Sequence, residues 1–271
     1  MEKVKVLLVY PITPPTFWSF SYAIKFQGKA SAFPPLGALT VAAMFPKEDW
    51  DITLVDMNVD KLTDDHIKNS DYVFISAMNI HHQCISGVVK RAKSFDKKTI
   101  LGGPIVSTLR KEDRPADILV EGEVENFFSE FLKDLLEGRT KPHYKSENRP
   151  ALKKIPLPRL DLIDVNKYNS MAVQFSRGCP FNCEFCDITK IYGRFPRIKA
   201  HEEFLAELEH VYKQGWRGSV FVVDDNFIGN LPAIKQLLPH IAEWQKERNY
   251  PFALLTEASV NLAKHKDVLD N

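Results

Sequence analysis

Short apolar runs alternate with amphipathic segments along the first half of the chain. The first run, Val4–Tyr10, is almost wholly apolar, which is typical of a strand buried in a parallel sheet. Four more strands are predicted, over residues 51–56, 71–76, 98–103 and 118–121. Helices are predicted over residues 36–45, 63–68, 84–95 and 124–137. This alternation predicts an α/β fold, with a doubly wound, Rossmann-like parallel sheet in residues 1–140.

The alternation resumes after residues 141–170, a polar stretch rich in proline and without apolar periodicity, which predicts a linker. Residues 171–271 then show strands at 171–175, 218–225 and 252–257, with helices at 202–214 and 233–248. This order is typical of the first half of a β/α barrel. Because three parallel strands cannot close a barrel, we expect the remaining units beyond residue 271 and an open edge on the last strand.

Composition narrows the class of protein. The chain has 271 residues, of which 44% are apolar and 26% charged, as in soluble globular proteins. A net charge of +1 without a long basic run does not suggest a nucleic-acid partner. No apolar run approaches the roughly 20 residues of a membrane span, and no signal peptide precedes the first strand. Four cysteines without a disulfide-like distribution favour a cytoplasmic location.

Three of the four cysteines form a compact motif. Cys179, Cys183 and Cys186 lie within eight residues, in the spacing Cys-x3-Cys-x2-Cys. They follow the strand predicted at residues 171–175, which Gly178 ends, so a loop at the carboxyl end of that strand is expected to hold the thiols. Three thiolates on one short loop suit a [4Fe–4S] cluster that leaves one iron open to another ligand.

Two other interpretations of these thiols stay open. A Cys3His zinc site would use His201 or His143 as its fourth ligand, although zinc sites usually pair two Cys-x2-Cys motifs and no second one is present. The cysteines can also be ordinary reduced core residues. The fourth cysteine, Cys84, falls within a predicted helix and is interpreted as an apolar core residue.

The cysteine spacing, with the aromatic Phe185 directly before the last thiol, resembles the signature of the radical S-adenosylmethionine (SAM) family. The resemblance implies that Cys179, Cys183 and Cys186 hold a [4Fe–4S] cluster and that the Phe185 backbone lies near the adenine of SAM. In this family the open iron binds SAM, and an electron from the cluster cleaves it to a deoxyadenosyl radical. An electron donor such as flavodoxin or ferredoxin is implied as a partner.

Polar residues also follow the later strands of the second half. Asp224, Asp225, Asn226 and Glu257 fall at the carboxyl ends of strands, where barrel enzymes have their active sites. These groups could bind the amino group or ribose of SAM, but Asp225 or Asn226 could equally cap a turn. Arg177, beside the thiols, either offsets the charge of a cluster or is a solvated loop residue.

Glycine, polar and aromatic residues gather where the strands of the first half end. Ligands of doubly wound sheets bind beyond these ends, and paired glycines let a ligand approach the backbone closely. The candidate residues are Tyr10, Leu36, Gly37, Ser76, Met78, Gly102, Gly103, Glu121 and Gly122. Each glycine can also be an ordinary turn residue. No Gly-x-Gly-x-x-Gly follows the first strand, so a dinucleotide is not predicted.

Pro-Pro-Leu-Gly at residues 34–37, the paired glycines, and Glu-Gly-Glu at residues 121–123 together resemble the cobalamin-binding domain that precedes many radical SAM barrels. The resemblance implies that the candidate residues bind cobalamin. The loop after the first strand lacks the Asp-x-His-x-x-Gly of methionine-synthase-type domains, so no histidine is expected below the cobalt. His81 and His82 follow the third strand and are interpreted as polar residues at a helix start.

A narrower resemblance, to a subgroup that includes hopanoid methylases, rests on residues 216–218 and 224–230. It implies a cobalamin-dependent radical SAM C-methyltransferase acting on an unactivated carbon of a small-molecule or lipid substrate. Within the family, a radical rearrangement or cyclisation, or a domain that has lost cobalamin, is the alternative. Outside it, the alternative is a zinc-stabilised binding protein without catalysis.

Overall fold

The computed structural model describes residues 2–17, 19–110, 112–113 and 115–269. The chain divides into two compact units, the first with residues 1–150 and 158–168 and the second with residues 151–157 and 169–271. Met1 and Asn271, the outer ends of the predicted domains, lie outside the described residues. No helix in the described ranges is long and apolar enough to cross a membrane.

A six-stranded parallel sheet forms the centre of the first unit. Its strands are β1 (Val4–Tyr10), β2 (Trp50–Asp56), β3 (Tyr72–Ser76), β4 (Lys98–Gly102), β5 (Ile118–Glu121) and β6 (His143–Lys145). They lie in the order β2-β1-β3-β4-β5-β6, which reverses direction between β1 and β3. Ligands of doubly wound sheets bind at such a reversal, beyond the carboxyl ends of the strands. The predicted doubly wound sheet is confirmed.

Helices cover both faces of this sheet. They are α1 (Leu36–Ala43), α2 (Asp64–Lys68), α3 (His82–Lys93) and α4 (Phe128–Leu136). Along β1, Val6 and Leu8 belong to a buried cluster with apolar residues of α1 and α4. The alternate residues Leu7 and Val9 belong to a second cluster with α2 and α3. Burial on both faces explains why the strands are continuous apolar runs rather than alternating ones.

The structure corrects the linker predicted over residues 141–170. Part of it is β6, which pairs with β5 as the sixth strand. The Tyr144 ring is buried 4.8 Å from the Phe131 ring, and its hydroxyl donates to Asp134 at 2.8 Å. Residues 158–168 also belong to the first unit, where the buried Tyr168 hydroxyl donates to Asp56 at 3.0 Å. A three-residue strand with one apolar side chain carries too short a pattern for its prediction.

The second unit repeats strand and helix in the predicted order. Its strands are β7 (Met171–Val173), β8 (Ser176–Arg177), β9 (Arg197–Ile198), β10 (Gly218–Val222) and β11 (Phe252–Thr256). Its helices are α5 (Ile188–Ile191), α6 (His201–Lys213), α7 (Leu231–Glu247) and α8 (Lys266–Leu269). β7, β10 and β11 form a parallel sheet in the order β11-β10-β7, and of the described strands only β10 pairs with β11.

Buried residues of α6 and α7 show which helix faces form the core of the second unit. On α6, Phe204 and Leu208 are fully buried, and on α7 so are Ile234 and Leu237. Their spacing of three or four residues is that of one helix face. The β7 residues are buried as well, so the chain that leaves β7 starts from a packed interior.

The glycine pair that ends β4 approaches the neighbouring strand closely. The Gly102 carbonyl accepts a hydrogen bond from Ala77 N at 3.0 Å. Gly103 has a φ of 93°, and a Cβ at this position would lie 2.5 Å from the Ala77 carbonyl oxygen. Glycine is therefore required at residue 103 both for its backbone angle and for the space available.

We expect Gly103→Ala to lower the free energy of unfolding by about 2–4 kcal/mol, because the clash is with backbone and the left-handed angle adds strain. Gly37→Ala is the matched control, since a Cβ there meets no atom within 4 Å. That change lies in the first turn of α1 and should alter stability by less than about 1 kcal/mol. Urea unfolding of both variants measures the difference, and equal stabilities would contradict the close approach.

Candidate functional site

The three clustered cysteines lie in an excursion of the chain at the carboxyl end of β7. β8 and β9 pair antiparallel, Ser176 with Ile198 and Arg177 with Arg197. Residues 178–196 lie between these two short strands and are called the thiol excursion below. The thiols thus occupy the position that the sequence predicts for them, after the first strand of the β/α repeat.

Gly178 allows the two ends of the thiol excursion to meet. Its φ is 103°, and a Cβ there would lie 3.0 Å from the Gly193 carbonyl oxygen and 3.2 Å from that of Phe195. Cys179 N donates to the same Gly193 oxygen at 3.1 Å. A side chain at residue 178 would separate these ends, so this glycine shapes the loop in addition to ending the strand.

The thiols are accessible and are not joined by disulfides. Cys183 is exposed, and Cys179 and Cys186 are half-buried. Cys186 N donates to the Cys183 carbonyl at 3.1 Å, which turns the chain between the last two thiols. Cys84 belongs to the other unit and packs against a buried apolar cluster there, as expected of a core cysteine.

Three thiols on one short loop are a donor set that suits the three protein ligands of a [4Fe–4S] cluster. Within the described ranges, no three His, Cys, Asp or Glu side chains converge as the ligands of one ion. Of the two proposed fourth zinc ligands, His201 packs 5.2 Å from the His240 ring, and His143 in the first unit pairs with Glu121 at 3.0 Å. A [4Fe–4S] cluster binds each thiolate to a different iron, so its ligands need to share a loop rather than converge on a point.

Asp224, predicted as a SAM ligand, is buried beneath the chain that leads to the thiols. It is 2% exposed. Its carboxylate accepts from Phe175 N at 2.8 Å and from Ser176 Oγ at 2.6 Å. Burial raises the pKa of Asp224 to about 6, although the donors around it act in the opposite direction. The structure therefore gives this side chain contacts with the backbone rather than an open face.

Of the other three predicted SAM ligands, two have side chains bound within the protein and one has an exposed side chain. Asp225 is half-buried and accepts from Gly178 N at 2.7 Å. Asn226 is buried, and its side-chain oxygen accepts from Ser259 N at 3.2 Å. The Glu257 side chain is exposed, while its carbonyl accepts from Phe227 N at 2.9 Å. Asn226 does not cap its own turn, because its side chain is bound to Ser259 in a distant segment, and Glu257 keeps a carboxylate available to a ligand.

A buried ion pair under the same segment was not predicted from the sequence. Glu207 of α6 and Lys199 are both buried and form a direct salt bridge. The second oxygen of Glu207 accepts from Gln174 N at 3.0 Å. A charged residue on a helix is usually solvated, and only the apolar residues on either side of Glu207 along its helix face could have indicated its burial.

Exposed aromatic side chains lie on the thiol excursion. Phe185 is 92% exposed, Phe195 is 86% exposed, and Phe181 is half-exposed. Within the same unit, Gly229 fits between prolines of the thiol excursion, because a Cβ there would lie 3.1 Å from Pro196 and 3.2 Å from Pro180. The excursion thus presents an apolar surface beside its thiols while its base is packed.

The candidate residues of the first unit lie along one edge of its sheet. Tyr10, Ser76, Gly102 and Glu121 are the last residues of β1, β3, β4 and β5, and parallel strands end at the same edge. The remaining candidates lie in or at the start of the segments that follow these strands: Leu36, Gly37, Met78, Gly103 and Gly122. Gly37 and Met78 are exposed, and Leu36 is half-buried. Gly122, at a φ of 83°, lies against Ser146.

Glu121 is bound by two basic residues of β6. His143 lies 3.0 Å and Lys145 2.8 Å from its carboxylate oxygens. The sequence could not place these partners, since β6 was included in the predicted linker. The pairs hold the Glu121 carboxylate at the end of β5.

His81 is enclosed at the point where the strand order reverses. The side chain is fully buried, and its ring packs edge-on against Tyr10 at 4.9 Å. Met78 N donates to Nδ1 at 3.1 Å, so the second nitrogen carries the proton and donates to Thr13 Oγ1 at 3.1 Å. Burial lowers the pKa of His81 to about 4. Both ring nitrogens are used, so this neutral histidine has none left for a metal.

Asn58 connects the loop after β1 to the end of β2. Its side-chain oxygen accepts from Thr13 N at 2.8 Å, and its amide donates to Asp56 at 2.7 Å and to the Pro11 carbonyl at 3.2 Å. Burial raises the pKa of Asp56, which also accepts from Tyr168. A continuous polar network therefore runs from β2 across the β1 loop to the segment after β3.

Known proteins resemble this chain in two ways, one within the first unit and one over nearly the full length of the chain. A family model described as a B12-binding domain matches residues 30–132, which includes the edge residues from Leu36 to Gly122. An uncharacterized methyltransferase of Synechocystis sp. is 42% identical over 269 residues, covering 98% of this chain and 50% of the relative. The hopanoid C-2 methylase of Rhodopseudomonas palustris is 37% identical over 271 residues, covering 98% of this chain and 51% of the relative. The chain thus spans about half the length of these relatives.

Solved structures show the same fold. The radical SAM methyltransferase TsrM of Kitasatospora setae, solved with cobalamin and a [4Fe–4S] cluster, matches with a TM-score of 0.61 at 14% identity, over 91% of this chain and 53% of that one. The cobalamin-dependent radical SAM enzyme OxsB matches with a TM-score of 0.65 at 18% identity, over 89% of this chain and 37% of that one. Residues 30–132 thus match the B12-binding family, and nearly the whole chain is similar to proteins named as methyltransferases, among them a hopanoid C-2 methylase.

Proposed function

We propose that this chain forms the cobalamin-binding and cluster-binding part of a radical SAM C-methyltransferase. The observation that carries the proposal is the set of three thiols on one excursion at the carboxyl end of β7. The same chain holds a B12-binding domain and is similar to methyltransferases over nearly its full length. Cys179, Cys183 and Cys186 would be the cluster ligands.

When bound, the cluster with SAM would supply a carbon-centred radical, and cobalamin would supply a transferable methyl group. The protein's own contribution is to hold and enclose these groups. The exposed rings of Phe181, Phe185 and Phe195 provide apolar surface that would exclude water beside the thiols. Glu257, whose carboxylate is exposed, is the acidic candidate best placed to bind a charged or hydroxyl group of SAM. Asp225 is the second such candidate.

In the first unit we propose that cobalamin binds along the carboxyl edge of the sheet. Gly37 leaves open space above its Cα, and Met78 is exposed beside the strand reversal. Ser76, Gly102 and the Glu121–Gly122 turn complete the edge. Since His81 is buried and uses both ring nitrogens, we propose that it would not be a ligand of the cobalt when cobalamin is bound.

The substrate proposed is a small molecule or lipid with an unactivated carbon. The relatives include a hopanoid C-2 methylase and two bacteriochlorophyllide d methyltransferases of Chlorobaculum tepidum, and these names support this substrate class. A one-electron donor such as flavodoxin or ferredoxin would reduce the cluster.

Two alternatives make different predictions. A radical rearrangement or cyclisation would use the same cofactors but would leave the substrate without an added methyl group. A zinc-stabilised binding protein would take up zinc and no iron. Anaerobic reconstitution with iron and sulfide distinguishes a radical SAM enzyme from a zinc-binding protein. A brown protein that can be reduced to an EPR-active state supports the enzyme. A colourless protein that contains zinc supports the zinc-stabilised binding protein.

We expect Cys179→Ala, Cys183→Ala and Cys186→Ala each to abolish stable cluster assembly, because three ligands leave no spare thiolate. Iron and sulfide content per chain, with the visible spectrum, is the measurement. Cys84→Ala is the matched control, and its iron content should equal that of the wild type. Loss of iron in the Cys84 variant would show that the ligand set is wrong.

We expect the EPR spectrum of bound Co(II) cobalamin to show no coupling to a protein nitrogen, because the loop after β1 contains no histidine and His81 has no free ring nitrogen. Spectra of protein with natural and with 15N-labelled nitrogen should be identical, which separates protein nitrogens from the nitrogens of cobalamin itself. A splitting that changes with the label and disappears in His81→Gln or His82→Gln would contradict this assignment.

His81 also predicts a pH dependence of stability. Its pKa is about 4 in the folded chain, below the ordinary value of 6.5, so the unfolded chain binds the proton more strongly. Stability is therefore lost as the pH falls from 6.5 towards 4, and this group alone should cost about 2 kcal/mol between pH 7 and pH 4.5. Urea unfolding at both pH values should show a smaller loss for His81→Gln than for the wild type. Equal losses would mean that His81 is not buried in its neutral form.

A further inference from the structure

The segment that joins β7 to the first thiol takes its hydrogen bonds from side chains of other elements. We call residues 174–178 the lead segment. Gln174 N donates to Glu207 at 3.0 Å, Phe175 N to Asp224 at 2.8 Å, and Gly178 N to Asp225 at 2.7 Å. Three of its five backbone N–H groups are thus bound by carboxylates rather than by a parallel neighbouring strand.

Asp224 is suited to this contact because a carboxylate has only acceptors. One oxygen accepts from Phe175 N and the other from the Ser176 hydroxyl at 2.6 Å. An amide of the same shape could keep its oxygen on Phe175 N, but its NH2 group would then face Ser176 Oγ, which would have to accept and would leave its own proton without this acceptor. Since the side chain is 2% exposed, water could not replace the lost acceptor. The site therefore favours a carboxylate over an amide of the same size.

Glu207 reaches the same segment from α6. One of its oxygens accepts from Gln174 N, and the other forms the buried salt bridge with Lys199. The backbone N–H of Lys199 in turn donates to the Phe175 carbonyl at 2.9 Å. The Lys199 side chain thus neutralises the Glu207 carboxylate, and the Lys199 backbone forms a hydrogen bond with the other side of the lead segment.

We propose that Asp224 and Glu207 are positioning residues for the cluster, which they would hold in place through the lead segment without touching it. Gly178, the last residue of that segment, directly precedes Cys179, whose own N–H is bound by Gly193. The backbone on both sides of the first thiol is therefore fixed by contacts of the folded protein. This inference rests on the proposed function, because it assumes that Cys179 is a cluster ligand.

The first test needs no cofactor. Hydrogen exchange of the lead segment, measured by NMR on the metal-free 271-residue chain, should become roughly tenfold faster in Asp224→Asn, since a neutral oxygen replaces the stronger, charged acceptor of Phe175 N. Glu207→Gln should act in the same direction at Gln174. Glu209→Gln is the matched control, because Glu209 lies on the same helix and pairs with Arg248 at 2.8 Å, away from the lead segment. Exchange in β10 should stay unchanged in all three.

The second test measures how firmly the protein holds the cluster. In the reconstituted protein, the rate at which a chelator such as EDTA removes iron should rise at least roughly tenfold in Asp224→Asn and Glu207→Gln, matching the loosened segment. The EPR spectrum of the reduced cluster should change with it. Ser176→Ala, which removes one donor and keeps the carboxylate, should give a smaller effect of the same sign. Ser176→Ala also replaces Asp224→Asn as the test variant if Asp224→Asn does not fold.

The outcomes separate the claims. Faster exchange with faster iron loss in the two variants, and neither in Glu209→Gln, supports the proposal. Faster exchange with unchanged iron loss and EPR overturns it, because the residues would then position the segment but not the cluster. Equal effects of Glu207→Gln and Glu209→Gln also overturn it, since they would reflect loss of α6. If the wild type assembles no cluster, the proposed function fails and the positioning of the cluster fails with it, whereas the exchange data still report on the lead segment.

Discussion

Parallel strands end together at one edge of a sheet, and the backbone that continues beyond this edge has no neighbouring strand to bond with. In both units the chain meets this constraint with buried or half-buried polar side chains. Asp224, Asp225 and Glu207 accept from the segment that leads to the thiols. In the first unit His81 and Asn58 bind the backbone that follows β3 and β1. The two proposed cofactor sites depend on these contacts, because they fix the loops that carry the ligand-binding groups.

Such contacts allow one loop arrangement and penalise others. A buried polar group that loses its partner costs roughly 1–3 kcal/mol, so each of these networks favours its complete form. The residues that remain exposed at the two edges are then the ones available to ligands. Phe185 and the three thiols are left open in the second unit, and Gly37 and Met78 in the first. Most positioning groups are thus more buried than the groups proposed to bind ligands, and Asp225 belongs to both sets.

Strands and helices could be predicted because continuous apolar runs and helix-period patterns arise directly from burial on one or two faces. The thiol motif was equally clear, since its spacing is local. What the sequence did not show depends on contacts between distant residues. β6 has one buried side chain, Tyr144, and too little pattern to be seen. Glu207 resembles any surface glutamate until Lys199 and Gln174 are placed beside it. Asp224 was correctly located at a strand end, but its direction, inward to the lead segment, follows only from the fold.

The central claim is that three thiolates at the end of β7 leave one iron open for SAM. Pulsed EPR of the reduced, reconstituted 271-residue chain, with SAM carrying 15N in its amino group, tests this most directly. The account predicts a cluster signal that shifts at saturating SAM and shows coupling to the labelled nitrogen. A cluster signal that is unchanged by SAM, without any coupling to the label, would contradict it.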